Sequence, residues 1–357
     1  MAPVVGFGIV AALLFASPAR AAATEREVVF DGGGGVRLSA TLALPPGASE
    51  RQRVPVVVLV AGSGPTDRNG NQPPLLWTGL LKQAADLLAG AGIASLRYDK
   101  RGVGRSGQIP KGAAALADFV AWDKFVGDVA AAHDAIRAQP EIDPNRVALL
   151  GHSEGGLLVI AAALSLQDAS RPPAAVILVS TPGRRTDLVI REQLAAACKR
   201  LGVSEEGTAR YLARNDEVLA SVRADGVVPA DLPPDLAPLY PRYAGRFLQS
   251  QFNFDPADAA GRLTMPVLVI QGRKDLQVSA ERDAPALEAA LKKRPGNAKC
   301  ALVVLEGAGH NLKHVEKDGE HAFYGPVVPE FRQRLVEWLT EALLTTEPRG
   351  PAPHAGS

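Results

Sequence analysis

Ten residues constrain this chain more than any others: Val147-Ala148-Leu149-Leu150-Gly151-His152-Ser153-Glu154-Gly155-Gly156. Four apolar residues run into a G-x-S-x-G pentapeptide and an apolar, Leu- and Ala-rich segment follows, which is the pattern of a strand, a sharp turn and a helix. A serine at such a turn has strained backbone, and small residues at Gly151 and Gly155 let the turn close and the helix pack on the strand. The turn leaves the Ser153 hydroxyl accessible and sets the backbone N–H of Glu154 at a helix N-terminus, facing any oxyanion that develops there. Ser153 is the candidate nucleophile.

The surrounding pattern says what carries this turn. Arg26 to Phe30 reads as a strand, Asp31 and the glycines after it as a turn, and Val36 to Leu44 as a second strand ended by Pro45-Pro46-Gly47. Val54 to Val60 is a continuous Val-rich run, as expected of a strand buried on both faces. Strand patterns recur at Ile93–Tyr98, Arg146–Leu150, Ala174–Ser180, Met265–Gln271 and Lys299–Leu305. Helical patterns at Leu75–Ala91, Ala117–Ala138, Ala284–Lys292 and Val328–Leu344 alternate with them. Such alternation predicts an α/β fold with a mainly parallel sheet and helices on both faces, and ligands bind beyond the carboxyl ends of its strands. From Gly183 to about Ala260 the pattern turns irregular and helical, with Tyr240, Tyr243, Phe247, Phe252 and Phe254; a helical cap insertion is expected, its aromatics either lining a pocket or packing the cap. The expected organisation is thus a core of residues 24–182 and 261–346, a cap of 183–260 and a flexible tail of 347–357.

Composition narrows the function. The net charge of +1 over 357 residues leaves no electrostatic footprint for nucleic acid. Val4 to Ala16 is apolar and Ala19-Arg20-Ala21 supplies an A-x-A site, so residues 1–21 read as a signal peptide, although no Lys or Arg precedes the run; a buried N-terminal helix is the alternative. The run is too short to span a bilayer, and the expected mature chain is exported, periplasmic or secreted, without integral membrane association. Two cysteines, Cys198 and Cys300, are expected to be buried thiols rather than a bridge. Neither they nor the six histidines show metal-ligand spacing, and no metal or other cofactor is expected.

A serine hydroxyl needs a base, and the base needs an acid to fix its tautomer. Asp275 follows the Met265–Gln271 strand, with Asp283 as its nearest competitor; His310 follows the Lys299–Leu305 strand in Glu306-Gly307-Ala308-Gly309-His310, with His314 and His321 as rivals. The order Ser153, Asp275, His310 suits a triad. Upstream, Ala61-Gly62-Ser63-Gly64-Pro65-Thr66-Asp67-Arg68-Asn69-Gly70-Asn71 is a glycine-rich loop at the end of a buried strand, and Ser63 or Gly64 could supply a second oxyanion donor. Arg101, in the charged loop from Asp99 to Gly107, is expected to hold loops together rather than bind an anionic substrate.

Together these residues identify the chain, from about Glu27 to its last helix, as similar to α/β-hydrolase-fold serine hydrolases. Within them it resembles bacterial carboxylesterases that carry four features: Gly62-Ser63-Gly64-Pro65-Thr66-Asp67-Arg68, Tyr98-Asp99-Lys100-Arg101-Gly102-Val103-Gly104, the Gly151-His152-Ser153-Glu154-Gly155-Gly156 elbow, and Phe254-Asp255-Pro256. The resemblance implies hydrolysis of a small acyl ester through an acyl-enzyme. Ser153 would be the nucleophile, His310 the base and then acid, Asp275 its orienting group, and the N–H groups of Ser63 and Glu154 the oxyanion hole. A serine peptidase of the prolyl-oligopeptidase kind, a thioesterase, and a non-catalytic binding protein on the same fold are the alternatives.

Overall fold

The computed structural model describes residues 23–344; the expected signal peptide and the whole of the expected tail lie outside them. Among the described residues eight strands form one sheet: β1 (Thr24–Asp31), β2 (Arg37–Leu44), β3 (Val54–Val60), β4 (Ala94–Tyr98), β5 (Ile142–His152), β6 (Ala175–Val179), β7 (Val267–Gly272) and β8 (Cys300–Leu305). Their order in space is β1-β2-β4-β3-β5-β6-β7-β8. β2 pairs antiparallel with both β1 and β4, and every pairing from β4 to β8 is parallel. This is the α/β architecture expected from the alternating pattern.

The period of two along each central strand divides the core. Val56, Val58 and Val60 of β3, with Val147 and Leu149 of β5, face one side. Val57, Leu59, Ala148 and Leu150 face the other. The first side is covered by the helices Trp122–Arg137, Glu154–Asp168 and Asp283–Lys293, and the second by Leu80–Gly90 and Pro329–Leu344. Each fully buried Val or Leu contributes about 1.5–3 kcal/mol, which holds β3, β7 and the Val147–His152 end of β5 firmly, whereas β8 at the sheet edge is half-buried up to Leu305. Among the described helices none is long and apolar enough to cross a membrane.

Two expected helices differ from the sequence pattern. The first starts at Leu80, not Leu75, because residues before it fold back on the glycine-rich loop: Thr78 Oγ1 donates to the Gly70 carbonyl (2.6 Å), the Gly79 N–H donates to Asn71 Oδ1 (2.8 Å), and Gly79 has φ 59°. The expected 117–138 helix is two, Ala113–Phe119 and Trp122–Arg137. Arg101 takes the Phe119 carbonyl at 2.8 Å, which ends the first helix there and satisfies an orphan acceptor.

Between β6 and β7 lie the helices Thr186–Arg200, Glu205–Asp225 and Gly245–Asn253, with an apolar cluster of their own that includes Val218, Val222, Tyr240 and Phe252. Tyr240 and Phe252 are buried in that cluster, Phe247 and Phe254 pack on Trp122 at 5.6 and 5.5 Å, and Tyr243 is exposed. Most of the aromatics therefore pack the insertion and fix it to the Trp122–Arg137 helix. Ala259 and Ala260 belong to the main core. Cys198 and Cys300 are both free thiols, the first buried and the second half-buried.

Candidate active site

Ser153 separates β5 from the Glu154–Asp168 helix with φ 55° and ψ −125°, a conformation that costs a non-glycine residue about 1–3 kcal/mol. It is held there by an N–H bond to the Val179 carbonyl (2.8 Å) and by the Gly156 N–H on its own carbonyl (2.9 Å). The glycines around it are demanded by space. A Cβ on Gly151 would lie 2.3 Å from the Gly155 carbonyl oxygen, and one on Gly155 2.5 Å from those of Val60 and Ala61. One on Gly156 would lie 2.0 Å from Thr181 Oγ1. The expected strained strand-to-helix turn is present, with Ser153 half-buried at its apex.

Asp275 and His310 sit on the loops after β7 and β8 and meet directly: His310 Nδ1 donates to Asp275 Oδ2 at 2.8 Å. The carboxylate also accepts from Gln271 Nε2 (2.8 Å) on Oδ2 and from the N–H groups of Gln277 (2.8 Å) and Val278 (3.0 Å) on Oδ1. Burial alone would raise its pKa, but His310 and these N–H donors outweigh burial and hold it below the usual carboxylate range. A carboxylate facing Nδ1 keeps the proton there and leaves Nε2 as the nitrogen able to accept one.

His152 links the two halves of the site. Its Nε2 donates to the His310 carbonyl (3.0 Å), and the two rings lie 4.8 Å apart. A carbonyl can only accept, so His152 carries its proton on Nε2. Burial and the neighbouring His310 push its pKa down to about 3, and it stays neutral. The residue before Ser153 thus fastens the loop that carries His310.

The rivals are engaged elsewhere. Asp283 bonds Arg184 and the N–H groups of Gly183, Arg184 and Ser279. His314 is exposed in a surface groove beside β8 that none of Ser153, Asp275 and His310 lines. His321 is exposed and stacks on Phe323.

The glycine-rich loop lies against the turn: a Cβ on Gly62 would come within 3.2 Å of Ser153 Cβ. Ser63 is exposed, and its carbonyl accepts from Thr66 Oγ1 (2.9 Å) and Gln72 Nε2 (2.7 Å). Asp67 folds the loop further by accepting the N–H groups of Asn69 and Asn71. Glu154 opens its helix, where backbone N–H groups lack intrahelical partners. Arg101 is buried, pairs with Asp128 at 2.6 Å and donates to the carbonyls of Gly33, Phe119 and Lys124, the loop-holding part expected of it. Sequence reasoning passed over His152, Gln271, Lys100 and Gln251. Only Lys100 carried a signal, as a lysine at the end of a buried strand. Among the described residues no group of three or more His, Cys, Asp or Glu could hold a metal ion.

Comparison with known proteins agrees with this architecture. The model of the family described as serine aminopeptidase, S33, matches residues 78–318, a span that contains Ser153, Asp275 and His310. Esterase EstD of Thermotoga maritima is 28% identical over 291 residues, which cover 80% of this chain and 59% of that protein's length. An esterase of Pyrococcus furiosus superposes with a TM-score of 0.53 at 18% identity, over 90% of this chain and 92% of its own. The α/β hydrolase GrgF from a Penicillium species superposes with a TM-score of 0.51 at 20% identity, over 90% and 99%. The fold is that of the α/β hydrolases.

Proposed function

The chain belongs to the family described as serine aminopeptidase, S33, and we propose that it is a serine hydrolase that cleaves carboxylic esters through an acyl-enzyme. The observation that carries the reading is the buried Asp275–His310 bond of 2.8 Å, tied through His152 to the strained turn at Ser153. In the first step Ser153 Oγ attacks the ester carbonyl while His310 Nε2 takes its proton. The N–H groups of Glu154 and Ser63 stabilise the oxyanion. Collapse expels the alcohol, which takes that proton from His310. Water then attacks the acyl group with His310 again as base, releasing the carboxylic acid and Ser153. Asp275 orients the imidazole and stabilises its charged form.

The preference for esters over peptides rests on the esterase relative of Thermotoga maritima. The insertion between β6 and β7 is proposed to cap the site, and residues 1–21 to direct export. The test compares p-nitrophenyl acyl esters, acyl thioesters and aminoacyl-nitroanilides, with fluorophosphonate labelling of the protein. Turnover of the esters, loss of about a million-fold in Ser153→Ala and labelling that disappears with Ser153 are expected. Faster cleavage of nitroanilides or thioesters would transfer the proposal to a peptidase or thioesterase, and an unlabelled, inactive wild type would refute the enzyme reading altogether.

A further inference from the structure

Lys100 follows β4, and its ammonium is buried in the floor of the site between two loops. Nζ donates to the Gly62 carbonyl (3.0 Å) and to Glu154 Oε1 (3.1 Å), and it lies 5.1 Å from the centre of the Phe125 ring. The other carboxylate oxygen, Glu154 Oε2, accepts from Gln251 Nε2 (3.1 Å) on the Gly245–Asn253 helix of the insertion. The side chains of Lys100 and Glu154 are 7% and 10% exposed, so the pair is largely desolvated.

The two groups held by this ammonium are not arbitrary. Gly62 O and Ser63 N–H belong to one peptide unit, and the bond is trans, since among the described residues the only cis bond is Pro73–Pro74. In a trans peptide the N–H points opposite to the C=O. An ammonium that fixes the carbonyl on one side therefore fixes the N–H on the other, and withdrawing density from the carbonyl oxygen makes that N–H a stronger donor. The second group is the side chain of Glu154, whose backbone N–H is the other proposed donor.

We propose that Lys100 is the positioning residue of the oxyanion hole, holding the Ser63 and Glu154 donor peptides in register from behind, with Gln251 bracing Glu154 from the insertion. The proposal rests on the esterase reading above. It assigns Lys100 no proton transfer and no contact with substrate: the residue works through the peptides it aligns, so its effect belongs to the transition state, where the oxyanion exists.

The test uses the full-length protein with Lys100→Met and with the double variant Lys100→Met/Glu154→Gln, which leaves no unpaired buried charge and carries the test where the single variant does not fold. For each folded variant, kcat and KM on a p-nitrophenyl ester are measured beside the inhibition constant of a trifluoromethyl ketone, which forms a tetrahedral adduct at the serine. A fall in kcat on the order of 10- to 100-fold is expected, less than or comparable to loss of a whole oxyanion donor, with KM changed less than about threefold. The trifluoromethyl ketone should weaken in proportion to kcat/KM, and Gln251→Leu should move both the same way by a smaller factor. A merely structural lysine would lower the melting temperature without that proportionality. Variants with near-wild-type kcat, or with lost turnover but undiminished ketone affinity, overturn the proposal while leaving the esterase reading standing. A wild type that neither turns over esters nor labels with fluorophosphonate overturns both.

Discussion

Replacing Asp275 by Asn exchanges one carboxylate oxygen for an NH2, and the surroundings dictate how the new amide must sit. One carboxylate oxygen faces two backbone donors, the N–H groups of Gln277 and Val278, which cannot turn away. The other faces His310 Nδ1 and Gln271 Nε2, both of which can. The Asn oxygen therefore stays on the backbone side and its NH2 faces His310. Being a donor, that NH2 requires His310 Nδ1 to accept, which moves the imidazole proton to Nε2, the nitrogen proposed to receive the proton of Ser153. Loss of the correct tautomer in such a triad lowers kcat by about four orders of magnitude. The fold should suffer far less. Gln271 Oε1 is buried without a partner, so the Gln271 amide can rotate to accept from the new NH2, giving up its bonds to the Gly272 and Val278 carbonyls. Two bonds lost net are about 2 kcal/mol. The assay is kcat on a p-nitrophenyl ester with urea unfolding alongside, and Asp283→Asn as the comparison. A kcat within tenfold of wild type, or a greater loss of turnover in folded Asp283→Asn, would refute the reasoning.

Other consequences follow from particular contacts. Gly156→Ala drives a methyl onto Thr181 Oγ1 at 2.0 Å and should destabilise the protein by about 1–3 kcal/mol, partly relieved by Thr181→Ala, in urea unfolding. Gly155→Ala meets the backbone oxygens of Val60 and Ala61, and no second substitution of a side chain should restore it. Arg101→Met leaves the buried Asp128 without its ion partner and should cost about 3–5 kcal/mol, while Arg101→Met/Asp128→Leu recovers only part of that, because the Gly33, Phe119 and Lys124 carbonyls and the Gly33 N–H lose their partners, and the folded protein keeps its kcat. His133 is buried, and burial pushes its pKa down from 6.5 to about 4. As pH falls below about 6.5 the unfolded chain takes up a proton that folded His133 refuses until about pH 4. Stability is thus lost across that window, by up to about 1.4 kcal/mol per pH unit. His133→Leu should flatten the decline between pH 6.5 and 4 in chemical unfolding, and a parallel pH dependence in the two proteins would count against this account.

How far the sequence could be read depended on the range of the forces involved. β3 was legible because Val54–Val60 has no polar residue and can only be a strand buried on both faces. The turn at Ser153 was legible because its glycines answer a local need: φ 55° at the serine and backbone packed within 2–3 Å of where side chains would stand. The start of the helix at Leu80 was not, because Thr78 and Gly79 are claimed by hydrogen bonds to a loop eight residues back. Nor was the break between Phe119 and Trp122, which is set by Arg101 reaching across from another loop.

The same division runs through the site. Local pattern alone placed Ser153, Asp275 and His310 on loops at the carboxyl ends of β5, β7 and β8, since apolar periodicity sets where strands end and glycine sets where they turn. It favoured Asp275 over Asp283, and His310 over His314 and His321, from where each falls after its strand, but it could not show what stands opposite any of them. Contact decides: His310 faces Asp275, Asp283 faces Arg184, and His314 faces a groove beside β8. Nor could local pattern show that His152 grips the carbonyl of His310, or that Lys100 joins Gly62 to Glu154. Those bonds join residues 158, 38 and 54 positions apart, and a hydrogen bond acts over about 3 Å, so only the folded sheet, by laying strand ends side by side, brings them into being.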